Sequence, residues 1–226
     1  MITDNLKKIN DAIIKKCDEI GRNCNEIKLI AVSKNHPVDS IREALSAGVF
    51  NFGENKAQDL RDKADLLKGE FYWHFIGHLQ SNKVKYVVKA AEFIHSVDSL
   101  RIAEDINKKA AELNKIQKVL FEIKTSDEAT KYGIINDEQC FKLAEECARL
   151  NNIEVVGLMT MAPYTDDNTL IRKSFKKLFS LKEKLNNAGY NLSELSMGMT
   201  SDFEIAIEEG STMLRIGTAI FGERIY

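Results

Sequence analysis

The chain has 226 residues, of which 44% are hydrophobic and 29% charged, as is typical of a packed globular protein. Its 32 basic and 34 acidic side chains nearly cancel and give a formal net charge of −2. Nucleic-acid-binding proteins usually carry a clear positive surplus, so this balance argues against a nucleic-acid partner. Because the chain has only two prolines and lacks a Gly/Ser-rich linker, we expect a single domain over residues 1–226.

The N-terminal segment and the cysteines indicate where the protein works. Residues 1–8 are polar, and no run approaches the ~18 apolar residues that span a bilayer. The four cysteines form no C-x-x-C pair, and we expect reduced thiols on helix faces rather than metal ligands. They are Cys17, Cys24, Cys140 and Cys147. The sequence therefore predicts a cytoplasmic protein with no membrane partner and no metal.

Alternating strand and helix patterns follow an amphipathic helix predicted over residues 3–20. Eight short runs of β-branched, aromatic or other apolar residues are predicted as strands. They cover residues 28–33, 49–53, 72–77, 93–97, 118–124, 154–160, 195–199 and 213–218. Several runs, such as Leu29-Ile30-Ala31-Val32, are continuously apolar, which is typical of parallel strands buried on both faces.

The segments between these strands have helical periodicity. Helices are predicted over residues 38–47, 55–67, 80–90, 99–113, 137–150, 168–187 and 201–209. Asp98-Ser99 is a suitable helix start, and Gly48 and Gly210 are suitable helix ends. Eight βα units predict a closed (β/α)₈ TIM barrel with an extra N-terminal helix, and an open doubly wound sheet is the alternative. In a barrel, the functional site lies at the carboxyl ends of the strands.

Lys34 directly follows the first apolar strand, at the predicted mouth of the barrel. Partial desolvation at that position would lower the pKa of its ammonium group. A neutral lysine amine can attack an aldehyde and form an imine. The alternative is a solvated lysine at a strand end, which is the commoner situation.

The loops after strands seven and eight are suited to a phosphate, which barrels often bind there. Thr200-Ser201-Asp202 offers hydroxyls and free N–H groups at a helix start, although a plain helix N-cap explains it equally. Gly217-Thr218 adds a close-approach backbone and another hydroxyl. Strand alternation places Arg215 on the face opposite Leu214 and Ile216, where a buried charge needs a partner. A structural salt bridge is the alternative for Arg215.

Other polar residues at strand ends give weaker signals. His74 and His78 more often satisfy local hydrogen bonds than take part in chemistry. Asn55 suits a helix N-cap, and Asn82-Lys83 suits a solvated helix face.

Taken together, these motifs resemble the pyridoxal phosphate homeostasis protein family, the YggS- and PROSC-like proteins. The resemblance covers nearly the whole chain in the family's order. Its segments are residues 29–34 (LIAVSK), 51–55 (NFGEN), 73–83 (WHFIGHLQSNK), 157–162 (GLMTMA), 195–199 (LSMGM) and 215–222 (RIGTAIFG). The family often carries serine where this chain has Thr200, and the hydroxyl is kept.

The resemblance implies a barrel like the N-terminal domain of alanine racemases, with pyridoxal 5′-phosphate as the cofactor. It implies that Lys34 carries the cofactor as a Schiff base, that Asn55 lines the pocket and that Arg215 faces the pyridine nitrogen. It also implies phosphate contacts from a set of residues after strands seven and eight. They are Ser196, Thr200, Ser201, Gly217 and Thr218. Because the chain ends at Tyr226, we expect the racemases' C-terminal β-domain to be absent.

These features favour a carrier of the cofactor over a catalyst. A permanent cation at the pyridine nitrogen disfavours its protonation and weakens the ring as an electron sink. We expect a monomeric, non-catalytic protein that serves vitamin B6 and, indirectly, amino-acid homeostasis, with apo-enzymes as acceptors. The first alternative is a pyridoxal-phosphate-dependent amino-acid racemase. A more distant one is a Schiff-base aldolase acting on a sugar phosphate.

Overall fold

The computed structural model describes residues 1–126 and 132–222, and within them eight parallel strands close into a barrel. Each strand pairs with its neighbour in chain order, and the last strand pairs with the first. The strands are β1 Lys28–Val32, β2 Asn51–Glu54, β3 Tyr72–Phe75, β4 Phe93–Val97, β5 Gln117–Glu122, β6 Ile153–Met159, β7 Glu194–Ser196 and β8 Met213–Ile216. The predicted (β/α)₈ barrel is confirmed, and the open sheet is wrong.

Helices follow the strands and surround the barrel. In the described residues they are α1 Ile2–Glu19, α2 Val38–Ser46, α3 Ala57–Leu66, α4 Val84–Ala90, α5 Leu100–Glu112, α6 Asp137–Cys147, α7 Asn168–Asn187, α8 Phe203–Glu208 and α9 Thr218–Phe221. The extra N-terminal helix is confirmed as α1, which packs against α2, α8 and α9. Two short 3₁₀ helices, Cys24–Glu26 and Ser81–Lys83, complete the described elements.

Two apolar cores flank the strands. The larger core lies between the sheet and the helices. The smaller core fills the interior of the barrel and consists of residues from the strands alone. Its members are Ile30, Phe93, Leu120, Val156, Met159 and Met213. Burial on both faces explains the continuously apolar runs in the sequence.

A β-bulge interrupts the pairing of β5 with β6. Val119 lies opposite Val155, but the next residue of β5, Leu120, lies opposite Gly157. Val156 is therefore an extra residue on β6.

Some predicted boundaries differ from the observed ones for local reasons. The seventh strand was expected over 195–199, but β7 ends at Ser196 because Gly198 takes a φ of 95°, outside the β region. Gly48 and Gly210 have φ values of 89° and 92° directly after α2 and α8, which confirms them as helix ends. The short helix α9 was not predicted.

Candidate functional site

Lys34 lies at the carboxyl end of β1, two residues beyond Val32. Its side chain is half-buried, as predicted for a lysine at the barrel mouth. Ile30 belongs to the interior core, and Lys34 lies in the turn that follows β1. Ile30 is also the residue that pairs with Arg215 of β8. Lys34 therefore follows the strand that is adjacent to the strand of Arg215.

Two residues that the sequence analysis missed hold the strand end that carries Lys34. The buried Glu54 carboxylate accepts hydrogen bonds from Ser33 Oγ and from Lys63 Nζ, each at 2.6 Å. Lys63 Nζ also donates to the Ser33 carbonyl at 2.8 Å. Burial raises the pKa of Glu54, and the Lys63 ammonium opposes that shift. A charged residue directly after the predicted strand 49–53 was the available signal.

Arg215 is buried inside the barrel, 5% exposed. Its Nη1 donates to Ser196 Oγ at 2.6 Å, and its Nη2 donates to the Thr160 carbonyl at 2.9 Å. Among the described residues, no carboxylate lies within 4.0 Å of the guanidinium, so the salt-bridge alternative is wrong there. Burial lowers the pKa of Arg215 to about 10, which leaves it protonated at neutral pH. The interior thus holds a hydrogen-bonded cation without a direct ion pair in the described part of the chain, and the carboxylates of Asp202 and Glu122 stabilise its charge from farther away.

Ser196 is fully buried, and its hydroxyl contacts His95 Nδ1 at 2.9 Å as well as Arg215. His95 Nε2 in turn lies 2.9 Å from His74 Nδ1, and His74 Nε2 lies 3.0 Å from Asn51 Oδ1. Both imidazoles are fully buried. The expectation that His74 satisfies a local hydrogen bond is met, but the involvement of His95 and Asn51 was missed.

The loops after β7 and β8 meet at the same mouth because these strands are neighbours. Thr200 and Ser201 are exposed, and Thr218 is exposed at the start of α9, directly after the half-buried Gly217. Asp202 is the N-cap residue of α8, and its carboxylate accepts a hydrogen bond from the Met199 backbone N–H. The predicted phosphate residues therefore separate into exposed loop residues and the buried Ser196.

Asn55 follows β2 and is half-buried. It is not a helix N-cap, because α3 begins at Ala57 after Lys56. Its Oδ1 is buried and has no hydrogen-bond partner in the described part of the chain. Gly77 permits this position, since a Cβ there would lie 2.1 Å from the Asn55 carbonyl oxygen. An unsatisfied buried acceptor is costly and suits a ligand that brings a donor.

Glu122 ends β5 with a side chain that is only 4% exposed. Burial raises the pKa of its carboxyl to about 7; Asp98 adds to this shift and Arg215 opposes it. The sequence analysis did not identify this residue, because a glutamate at a strand end carries no distinctive pattern.

We expect Glu122→Gln to remove a pH-dependent loss of stability. The folded pKa lies above the unfolded value of 4.5, so ionisation favours the unfolded chain as pH rises from about 4.5 to about 7. Above that range the variant should be more stable than the native protein by up to about 3 kcal/mol. Urea unfolding at pH 4.5 and pH 8 measures this, with Glu154→Gln, an exposed glutamate at a strand start, as the control. Equal pH dependence in all three proteins would contradict the assignment.

The remaining predicted positions lie around the mouth. The exposed His78 stacks on Tyr132 with ring centroids 3.8 Å apart. Asn82 and Lys83 lie in the 3₁₀ helix Ser81–Lys83. Lys131, the residue before Tyr132, lies outside the described residues.

The four cysteines are free thiols, as expected. Within residues 1–126 and 132–222, no cluster of three or more His, Cys, Asp or Glu side chains could bind a metal ion. Over the same residues, no helix combines the length and apolar character needed to cross a membrane.

Comparison with solved structures supports the barrel fold and shows which known proteins share it. PipY of Synechococcus elongatus, solved with pyridoxal phosphate bound, has 33% sequence identity and a TM-score of 0.87, and the alignment covers 98% of this chain and 100% of PipY. Alanine racemase of Clostridium difficile has 19% identity and a TM-score of 0.77. This chain matches 56% of the racemase, and that likeness concerns the fold alone.

Comparison of sequences gives the family. The alanine racemase N-terminal domain family matches residues 10–225. The pyridoxal phosphate homeostasis protein of Aquifex aeolicus is 42% identical over 226 residues, which is 99% of this chain and 98% of that protein. The Escherichia coli protein of the same name is 40% identical, over 100% of this chain and 97% of its own. With the barrel and its polar mouth, these similarities show that the chain belongs to the pyridoxal phosphate homeostasis protein family.

Proposed function

We propose that this protein binds pyridoxal 5′-phosphate through a Schiff base on Lys34 and serves vitamin B6 homeostasis. The observation that carries the proposal is a half-buried lysine just beyond β1, next to the strand that carries the buried cation Arg215. The relatives' names and the PipY complex support the same cofactor.

The residues at the mouth fit the groups of this cofactor. Bound pyridoxal phosphate supplies an aldehyde that condenses reversibly with a lysine amine. We assign the amine to Lys34 and a pocket-lining role to Asn55, whose buried Oδ1 has no partner among the described residues and would accept a hydrogen bond. Arg215 would face the ring nitrogen.

The phosphate would lie at the loops after β7 and β8. We assign it to the exposed hydroxyls of Thr200, Ser201 and Thr218 and to the backbone at Gly217. Ser196 was also predicted as a phosphate contact. Because its hydroxyl already accepts from Arg215 and contacts His95, we favour a role for Ser196 beneath the ring instead.

Arg215 favours storage of the cofactor over catalysis. Its guanidinium stays protonated and disfavours a second positive charge on a nearby pyridine nitrogen. An unprotonated ring is a poor electron sink, so reactions that build a carbanion on the substrate gain little from it. The remaining function of a reversible covalent link is to keep the aldehyde out of solution until another protein needs it.

The test is the visible imine absorbance of the purified protein after addition of pyridoxal phosphate. Lys34→Ala should abolish this band, because the covalent link needs the Lys34 amine. Lys124→Ala is the matched control, since Lys124 is also a half-buried lysine just beyond a strand end, that of β5. An undiminished band in Lys34→Ala would contradict the proposal.

The racemase and aldolase alternatives make different predictions for the same protein. Robust racemisation of an amino acid that is lost in Lys34→Ala would favour the racemase. A protein that stays colourless and does not bind pyridoxal phosphate would favour the aldolase.

We further propose that the protein acts in the cytoplasm as a monomeric, single-domain carrier, with apo-enzymes as acceptors. Free thiols are typical of a reducing compartment. A transfer assay from the loaded protein to an apo-enzyme, with and without a trap for free aldehyde, tests the acceptor role. Activation that survives the trap indicates direct transfer, whereas its loss indicates release through solution.

A further inference from the structure

A continuous row of buried polar groups crosses the interior of the barrel. It runs from Asn51 at the start of β2 to His74 in β3 and His95 in β4, and then across to Ser196 in β7 and Arg215 in β8. The step from β4 to β7 joins strands that are not neighbours, so this hydrogen bond passes through the interior itself. The proposed carrier function assigns no role to either histidine.

The chemistry of the groups, together with the placement of Asn51 Oδ1 toward His74, determines the direction of every hydrogen bond. A guanidinium has no acceptor, so Arg215 must donate to Ser196 Oγ. If the Ser196 hydroxyl then donates to His95 Nδ1, the proton of His95 is on Nε2 and points to His74 Nδ1. His74 likewise carries its proton on Nε2.

The last bond completes the series, because His74 Nε2–H donates to Asn51 Oδ1. If the hydrogen bonds ran in the opposite direction, His74 Nε2 would carry no proton, and two acceptors, His74 Nε2 and Asn51 Oδ1, would face each other. The Ser196 hydroxyl proton would also lack an acceptor among the contacts in the described residues. One direction alone satisfies all five groups.

Burial keeps both imidazoles neutral, which this arrangement requires. The pKa of His74 is lowered to about 3, mainly by burial and further by the Lys28 ammonium. Burial, the neighbouring His74 and Arg215 lower the pKa of His95 as well. The Phe93 ring stacks on His74 with centroids 4.7 Å apart and blocks one face of that imidazole.

We propose that Ser196, His95, His74 and Asn51 are positioning residues that hold the Arg215 guanidinium toward the cofactor ring through one chain of hydrogen bonds, all donated away from Arg215. The inference rests on the proposed function for the cofactor, but the direction of the chain is a property of the protein alone. Its far end, Asn51, lines a pocket of about 470 Å³ at the opposite mouth of the barrel, together with Lys28, Tyr72 and Phe93.

The first test is long-range ¹H–¹⁵N spectroscopy of histidine-labelled full-length protein without cofactor, with His36→Gln and His78→Gln used for assignment. We expect both buried rings to be neutral from pH 8 to pH 5, with the proton on Nε2. A proton on Nδ1 of either ring, or titration in that range, would overturn the chain whether or not the protein binds pyridoxal phosphate.

The second test changes the remote end. Asn51→Leu removes the acceptor of His74 Nε2–H and with it the last hydrogen bond of the series, so the ring ¹⁵N and ¹H shifts of both His74 and His95 should change. Asn51→Asp keeps an acceptor and should preserve the native tautomers. An unchanged His95 spectrum in a folded Asn51→Leu protein would show that the groups are not coupled.

The third test links the chain to the cofactor by equilibrium dialysis. Ser196→Ala should weaken retention of pyridoxal phosphate about tenfold, as expected for one lost hydrogen bond to a charged group, and Ser196→Thr should restore it. Asn51→Leu should weaken retention at least about twofold, although it lies far from the phosphate loops. A loss in Ser196→Ala with no change in Asn51→Leu would confine the effect to the direct contact between Ser196 and Arg215 and would reject the positioning role of His95, His74 and Asn51.

Discussion

Gly157→Ala should destabilise the barrel by at least about 4 kcal/mol, which places it among the most damaging single substitutions. A Cβ at this position would lie 2.0 Å from the Glu194 carbonyl oxygen and 2.7 Å from its carbon. Both are backbone atoms of the paired strand β7, so no side-chain rotation can relieve the overlap. The strands must separate, and β7 has only three residues with which to keep its pairing. Urea denaturation followed by circular dichroism measures the loss.

Gly21→Ala is the matched control for this prediction. Gly21 has a φ of 67°, and an added Cβ would have no neighbour within 4 Å. Only the left-handed backbone is penalised there, at about 1 kcal/mol. If Gly157→Ala cost no more than Gly21→Ala, the close approach of β6 and β7 would be refuted.

Lys63→Met should cost about 4 kcal/mol, because it leaves the buried Glu54 carboxylate without its cation. Glu54 is fully buried and its Oε2 already lacks a partner in the described residues, so Ser33 alone would remain to satisfy the charge. Without the Lys63 ammonium, burial would raise the pKa of Glu54 further, so stability should fall as pH rises. Unfolding free energies at pH 6 and pH 8 test both the size and the sign.

A double variant separates the charge from the packing. Glu54→Gln in the Lys63→Met background removes the unpaired charge and should recover much of the lost stability. Lys68→Met, an exposed lysine just beyond α3, should change stability by less than about 0.5 kcal/mol. No recovery in the double variant would mean that Lys63 acts by packing rather than by charge.

The barrel was predictable from the sequence because its strands are buried on both faces. A strand buried on both faces needs a continuously apolar run such as residues 29–32. An amphipathic helix or a half-exposed strand would instead alternate apolar and polar residues. Strand ends were harder to predict, because they depend on single backbone angles such as that of Gly198. The bulge at Val156 was not predictable, since it is defined by its partner strand rather than by its own residues.

The candidate site was predictable at positions where a single residue stands out from its neighbours in the sequence. Lys34 follows an apolar run, and Arg215 is a charge on the inward side of a strand. His95 and Ser196 are 101 positions apart and carry no pattern that joins them, so only the closed barrel reveals their contact. The pair of Glu54 and Lys63 was missed for the same reason, because its strand-to-helix contact depends on how α3 packs on β2.

The bulge in β6 divides that strand into two parts: even-numbered residues face the interior in the first part, and odd-numbered residues face it in the second. Val156, the extra residue, faces the interior, and the next interior residue of β6 is Met159, three positions later rather than two. The extra residue thus shifts the alternation of inward-facing and outward-facing side chains by one position. Just beyond the second part of the strand, the Thr160 carbonyl accepts a hydrogen bond from Arg215. Polar residues at the mouth end of β6 can therefore change without a change in the alternation of inward and outward residues at the start of the strand.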